Sequence, residues 1–283
     1  MKKTLLVGII AMLVCGPMGA QRFVRDSVKL GGQWRRFWMQ LPQGLKEGAT
    51  LVVVCHGYGN IGKSDSWMKK VAEKEKIALC IPQGLQDPKG RHSWNVGYPF
   101  QQGWKQDDVK DLCGIARHVQ KKYKLSRENC FLTGMSNGGE MCYLMAYSKQ
   151  DVFKAFAAVS GLCMEWVYSK MDAPCPRPFF EIHGTKDMTS RWEGDLQNKY
   201  GWGKYMPVDI ALGYWVAKNH CTHELTDFIP GARDNGRYII RHHYTGGQAD
   251  VWLYEVINGE HSWHEKDIDT GQEIWNFFRQ YIK

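Results

Sequence analysis

The chain has 283 residues, 43% of them hydrophobic and 23% charged, with 30 Gly, 10 Pro and 13% aromatics. That balance excludes a disordered chain, a collagen-like repeat and a multi-span membrane protein. The formal charge of +8 is dispersed, with no long Lys/Arg run, so nucleic acid is not an expected partner.

Lys2 and Lys3 precede an apolar run, Leu5 to Val14, followed by Gly16, Pro17 and small residues to Ala20. A charged start, a short apolar core and a small-residue end describe a secretory leader better than a membrane span. Cleavage after Ala20 is the simplest reading, leaving 21–283 as a secreted or periplasmic protein. Lipid anchoring at Cys15 is the lesser alternative, because Val14 before it is larger than such sites usually carry. Export permits disulfides among the eight later cysteines. Cys163 and Cys175 flank one loop and form the favoured pair; the other pairings stay open.

Val24 to Leu30 and Trp34 to Leu41 flank Gly31-Gly32 and read as an antiparallel hairpin at a sheet edge. Thr50 to Cys55 is apolar without alternation, as a strand buried on both faces should be. A helix from about Ser66 to Glu75 leads to a second such strand, Ile77 to Ile81. The alternation continues with helix Asp107 to Tyr123, strand Asn129 to Thr133 and helix Gly139 to Tyr147. Strands Ala155 to Val159 and Phe179 to His183 follow. Helix Ile210 to Asn219, strand Val251 to Val256 and helix Thr270 to Ile282 complete the chain. This order predicts one α/β domain over 21–283, a mostly parallel sheet with helices on both faces. Ser190 to Val208, rich in Trp, Tyr and Gly, reads as an insertion above the sheet.

Gly134-Met135-Ser136-Asn137-Gly138 lies at a strand-to-helix junction. A G-x-S-x-G turn there exposes the serine hydroxyl on a sharp bend, and the glycines avoid collisions with neighbouring elements. The motif alone is weak; its placement after a buried strand strengthens it. Serine needs a base within reach, oriented by a carboxylate, and in this arrangement the order is Ser, acid, His at successive strand ends. Asp187 follows the Phe179–His183 strand and His261 follows the Val251–Val256 strand, so these are the expected acid and base. His264 is the rival base, Asp195 and Asp209 the rival acids. The backbone N–H groups of Asn137 and Tyr58 are the expected oxyanion donors. His220-x-x-His223, His242-His243 and His261-x-x-His264 lack an H-E-x-x-H, and no metal or other cofactor is expected. Activity should rise with pH as the base loses its proton, because only neutral imidazole accepts from serine.

These residues resemble the secreted esterases of the polyhydroxybutyrate depolymerase and feruloyl esterase group within the α/β-hydrolases. The likeness covers most of the chain after the leader. It rests on His56-Gly57, Pro82-Gln83-Gly84, Ser93-Trp94-Asn95, Asp107-Asp108-Val109 and the Gly134 to Gly139 turn. It also rests on Val159-Ser160-Gly161, His183 to Asp187, Trp215 with Asn219 and Cys221, and Gly259 to Trp263. Such enzymes often read Gly-Gly-His or Gly-His followed by Trp-Pro-Gly, whereas here Glu260 precedes the histidine and His264-Glu265 follow Trp263. The resemblance implies a triad of Ser136, Asp187 and His261. It implies a feruloyl esterase acting on plant cell-wall polysaccharide, with acetylxylan esterase or polyester depolymerase as alternatives. Trp94, Trp192, Trp202 and Trp263 are the candidate substrate-binding aromatics. A serine peptidase of the oligopeptidase type and a non-enzymatic carbohydrate-binding module are the readings from other classes.

Overall fold

The computed structural model describes residues 22–62, 67–230 and 236–283. The expected leader, 1–20 with Cys15, and the expected helix start at Ser66 lie outside the described residues. The first strands are β1 (Arg22–Leu30), β2 (Gln33–Leu41) and β3 (Leu51–Cys55). Next come α1 (Lys69–Glu75), β4 (Ala78–Pro82), a small hairpin of β5 (Leu85–Gln86) and β6 (His92–Ser93), and α2 (Asp108–Lys122). The centre is β7 (Cys130–Met135), α3 (Asn137–Tyr147), β8 (Ala155–Val159), α4 (Glu165–Lys170) and β9 (Phe179–Gly184). The chain ends with α5 (Val208–Lys218), β10 (His223–Pro230), β11 (Tyr238–Thr245), β12 (Val251–Val256) and α6 (Thr270–Phe278).

Ten strands form one sheet in the order β1-β2-β4-β3-β7-β8-β9-β12-β11-β10. The pairs from β4 to β12 are parallel, and an antiparallel hairpin extends each edge. Every residue of β3, β4 and β8 is buried, as parallel strands covered on both faces must be. Leu51, Val53 and Cys55 of β3 pack with the α2 stripe Leu112, Ile115, Ala116 and Val119. Val52 and Val54 face the other way, onto Val71 of α1 and Ile274, Phe277 and Phe278 of α6. The expected mostly parallel sheet with helices on both faces is therefore present.

α2 starts where Asp107 accepts from the Lys110 N–H at 2.9 Å, an N-cap. Its first turn also serves the site: the buried Asp108 bonds Arg35 at 3.0 Å and the Asn95 N–H at 2.7 Å. α3 is buried on every side, the mark of a helix enclosed by other elements.

Three features differ from expectation. β10 and β11 were not expected; β10 is exposed along nearly its whole length, so its strand state comes from pairing with β11 and leaves no apolar pattern. The six-residue α4 is too short to show a period. The Cys163–Cys175 bridge is absent: all eight described cysteines are free thiols, with Cys163 buried and Cys175 exposed. Cys163 packs into the hydrophobic core while Cys175 looks outward, so flanking a loop in sequence did not bring the sulfurs together. No helix among the described residues is long and apolar enough to cross a membrane.

Candidate active site

Ser136 joins β7 to α3 with φ 56° and ψ −124°. For a residue with a Cβ this is a strained conformation, costing of order 1–3 kcal/mol and held only where surroundings enforce it. They do so here. The Ser136 N–H donates to Val159 O at 2.9 Å, and Ser136 O accepts from the Glu140 N–H at 2.9 Å. A Cβ on Gly138 would lie 2.2 Å from Cys55 O, and one on Gly139 2.9 Å from Gly161 Cα. The glycines thus let α3 press against β3 and the start of the loop after β8. Gly138→Ala should destabilise the protein by about 3 kcal/mol or more, because the collision is with backbone and no side chain can yield. Urea unfolding measures it; a loss below about 1 kcal/mol would show that α3 can shift away.

The loop after β3 supplies the other wall. A Cβ on Gly57 would sit 3.4 Å from Ser136 Cβ, so this backbone lies against the serine. His56 is neutral, its pKa lowered by burial to about 4. It accepts from the Gly84 N–H at Nε2 (2.9 Å) and therefore donates from Nδ1 to Gly57 O at 2.8 Å. With Gly57 O also accepting from the Asn60 N–H, the Tyr58 N–H points the opposite way across the trans peptide. It has no hydrogen-bond partner among the described residues. The Asn137 N–H, at the first position of α3, is equally free of an intrahelical partner. The Asn137 side chain is occupied elsewhere, accepting from Trp94 N (2.7 Å) and donating to Trp94 O (3.1 Å).

Asp187 and His261 are 74 residues apart, yet their loops leave the adjacent strands β9 and β12. A Cβ on Gly184 would come 2.4 Å from Gly259 O, so the loops touch backbone to backbone. Lys186 N donates to Gly259 O at 2.9 Å, and Asn258 N to Thr185 Oγ1 at 2.9 Å. The result is a 2.7 Å bond from His261 Nδ1 to Asp187 Oδ2. Asp187 Oδ1 accepts from the N–H groups of Thr189 (2.8 Å) and Ser190 (2.7 Å). Burial alone would push this carboxyl up, but the His261 bond, the charges of His261 and His183 and the Ser190 N–H outweigh it and hold it below the usual range. The Ser136 hydroxyl makes no hydrogen bond among the described residues; such contacts often close only with substrate bound.

The rivals are engaged elsewhere. His264 is buried, held neutral with a pKa near 3 by burial first and then by His183, and its Nε2 faces Ser160 Oγ at 3.5 Å. Asp195 accepts from the Tyr200 N–H, and Asp209 sits in the first turn of α5. His183 supports Asp187 from behind: its ring bonds Glu181 Oε1 at 2.8 Å and Ser190 O at 2.7 Å.

A recess of about 10 Å³ beside Ser136 is lined by Tyr98, Glu140, Leu162, Thr189, Ser190 and Trp202. That is room for about one water. Tyr58, Tyr98, Phe100 and Trp202 form one aromatic cluster over it, with ring centroids 5.1–6.2 Å apart. Of the four candidate tryptophans, only Trp202 borders this recess. Trp94 is fully buried and donates to His56 O at 2.9 Å, bracing the loop after β3. Trp192 packs edge-on to His183, and Trp263 lies against Trp67.

Sequence reasoning missed Glu140, although a carboxylate in the otherwise uncharged α3, four residues after Ser136, was the available signal. Its Oε2 accepts from the Tyr98 hydroxyl. Burial pushes its pKa up to about 8 against the opposing bonds from Tyr98 and Asn137. The folded state thus keeps a proton that the unfolded chain releases near pH 4, and stability falls as pH rises from about 4 to 8. Glu140→Gln should shrink the fall in Tm between pH 5 and pH 8. An equal fall in both proteins would count against a neutral, buried Glu140.

The model of the prolyl oligopeptidase family matches residues 89–282. Feruloyl esterase D of Neurospora crassa is 22% identical over 290 residues, which cover 90% of this chain and 85% of that protein. Among solved structures, acetyl xylan esterase from Aspergillus awamori aligns with a TM-score of 0.63 at 15% identity, over 93% of this chain and 100% of that one. A puromycin-hydrolyzing peptidase of Mycobacterium tuberculosis aligns with a TM-score of 0.61 at 13% identity, over 92% of this chain and 39% of that one. At such identities the structural likenesses establish the fold, that of the α/β-hydrolases.

Proposed function

This chain belongs to the prolyl oligopeptidase family, and on that premise we propose that it is a serine carboxylic-ester hydrolase releasing hydroxycinnamoyl groups, such as ferulate, from plant cell-wall polysaccharide. The observation that carries this reading is the 2.7 Å bond between Asp187 and His261, on the same sheet edge as a serine held on a left-handed elbow.

In this mechanism Ser136 Oγ attacks the ester carbonyl carbon while His261 Nε2 takes its proton. Asp187 holds the Nδ1–H tautomer and stabilises the imidazolium. The negative charge gathering on the carbonyl oxygen is met by the Tyr58 and Asn137 N–H groups. Collapse breaks the ester bond, His261 returns the proton to the departing sugar oxygen, and an acyl-Ser136 remains. Water then attacks the acyl group with His261 again as base, and the carboxylic acid leaves. The reading includes a leader ending at residue 20 and one catalytic domain after it.

The aromatic cluster beside Ser136 supports a planar acyl group, since ring faces bury large area at low entropic cost. The relative named feruloyl esterase D points the same way. One observation favours a second reading: a recess of about 10 Å³ has no space for an aromatic ring, which points to a small acyl group such as the acetyl named in the Aspergillus neighbour. Trp202 separates the two. If it forms the acyl wall, Trp202→Ala should lower kcat/KM for methyl ferulate roughly tenfold and leave 4-nitrophenyl acetate nearly unchanged. A wild type that cleaves acetylated xylan and ignores methyl ferulate would replace the first reading with the second. The peptidase reading draws on the family's name and on a likeness to 39% of the chain of the puromycin-hydrolyzing peptidase.

A further inference from the structure

The β5–β6 hairpin carries two exposed cations, Lys89 and Arg91, with no ion pair among the described residues. Asp87 is buried at its base and organises the turn: its Oδ1 accepts from Lys89 N at 2.9 Å and Arg91 N at 3.0 Å. Asp87 O also accepts from Gly90 N at 2.8 Å, and Gly90 takes the positive φ of 72° that closes the turn. The backbone donors are consumed inward, and the exposed Lys89 and Arg91 side chains leave the same turn. Among the described residues neither side chain is within ion-pair distance of a carboxylate, in contrast to Arg117 with Asp151 or Lys218 with Asp172.

This turn sits on the catalytic face. Gly59 N donates to His92 O at 2.8 Å, and a Cβ on Gly59 would lie 3.9 Å from Arg91 Cδ. The turn is thereby bolted to the loop that holds Tyr58. Lys89 Nζ lies 3.9 Å from the Phe100 ring centroid, and Phe100 packs on Tyr98 and Trp202, which line the recess at Ser136. Lys89 thus stands against the aromatic cluster beside Ser136, and Arg91 against the loop that holds Tyr58.

We infer that Lys89 and Arg91 form an anion-binding subsite at the mouth of the Ser136 cleft, which takes the uronate carboxylates of an acidic polysaccharide carrying the ester. The inference rests on the esterase reading and narrows its substrate. A guanidinium fork matches a carboxylate in two parallel hydrogen bonds, and the neighbouring ammonium adds a point charge. Both are exposed, so salt should weaken the effect.

The test uses the full chain, the Lys89→Ala/Arg91→Ala double variant, and esterified glucuronoxylan with or without chemical reduction of its uronates to neutral sugars. The expected result is a KM roughly tenfold higher for the variant on the native polymer. It should match wild type on the reduced polymer and on 4-nitrophenyl acetate. Raising NaCl from 0.05 to 0.5 M should raise the wild-type KM for the native polymer and leave that of the variant nearly fixed. Equal KM values for the two proteins on the native polymer would overturn the subsite and leave the esterase reading untouched. Affinity electrophoresis in ester-free glucuronoxylan tests the subsite without turnover: retardation of wild type and not of the variant supports it, and equal mobility overturns it. Loss of binding to phosphatidylglycerol vesicles with glucuronoxylan binding retained would assign the cations to an anionic membrane surface and overturn the proposal.

Discussion

Ser136→Ala should abolish turnover of every ester the wild type cleaves, with kcat falling roughly 10⁴- to 10⁶-fold. The size of the loss follows from covalent catalysis. Without Oγ no acyl-enzyme forms, and the residual rate comes only from binding and the oxyanion donors. The substitution removes one exposed-face oxygen that makes no hydrogen bond in the protein, so the fold should be indifferent to it. Alanine accepts the strained elbow no worse than serine, because both carry a Cβ. Turnover of methyl ferulate, with Tm as the control for folding, measures the effect. Unchanged turnover in a folded variant would end the esterase reading. Lost turnover with retained binding to the polysaccharide would show that glycan recognition and hydrolysis are separable in this chain.

Asp187→Asn should lower kcat about 10⁴-fold at neutral pH with a small change in KM, by analogy with the equivalent change in a serine protease. The reason lies in the 2.7 Å bond to His261 Nδ1. A carboxylate accepts there and leaves Nε2 free to take the Ser136 proton. An amide can instead donate to Nδ1, which leaves the proton on Nε2 and the base disabled. The same substitution alters stability with a definite sign. Asp187 is held below the usual carboxylate range, so its contribution is present above the unfolded value of about 4 and fades as pH falls through the folded one. The wild type should therefore lose more Tm than the variant between pH 5 and pH 3. A variant with wild-type kcat would show that Asp187 does not orient the base.

His56 and Asn137 show how much of the site is prepared before substrate arrives. His56 is buried and neutral, and its tautomer is dictated by the Gly84 N–H. That choice sends Nδ1–H to Gly57 O and turns the adjacent peptide so that the Tyr58 N–H faces away, unpartnered. Asn137 spends both ends of its amide on the Trp94 backbone, which anchors the start of α3, where its own N–H lacks an intrahelical partner. Trp94, a candidate for substrate contact from its place in the chain, instead closes this frame from within the core.

The sequence by itself determined the central strands and the order of the catalytic candidates. Leu51 to Cys55 and Ala155 to Val159 are apolar on both faces, and only a sheet covered by helices has room for such strands. The glycines around Ser136 were equally legible, because a side chain at Gly138 has nowhere to go. Tertiary structure decided what depends on the partner rather than on the residue. β10 is a strand because β11 pairs with it, not because its side chains are buried. Trp202 borders the recess while Trp94, Trp192 and Trp263 pack elsewhere, since the face a ring presents is set by neighbours distant in sequence. Cys163 and Cys175 stay apart for the same reason, one turned inward and one outward. The neutrality of Glu140 also arises only when Tyr98 and the surrounding core exclude water from it.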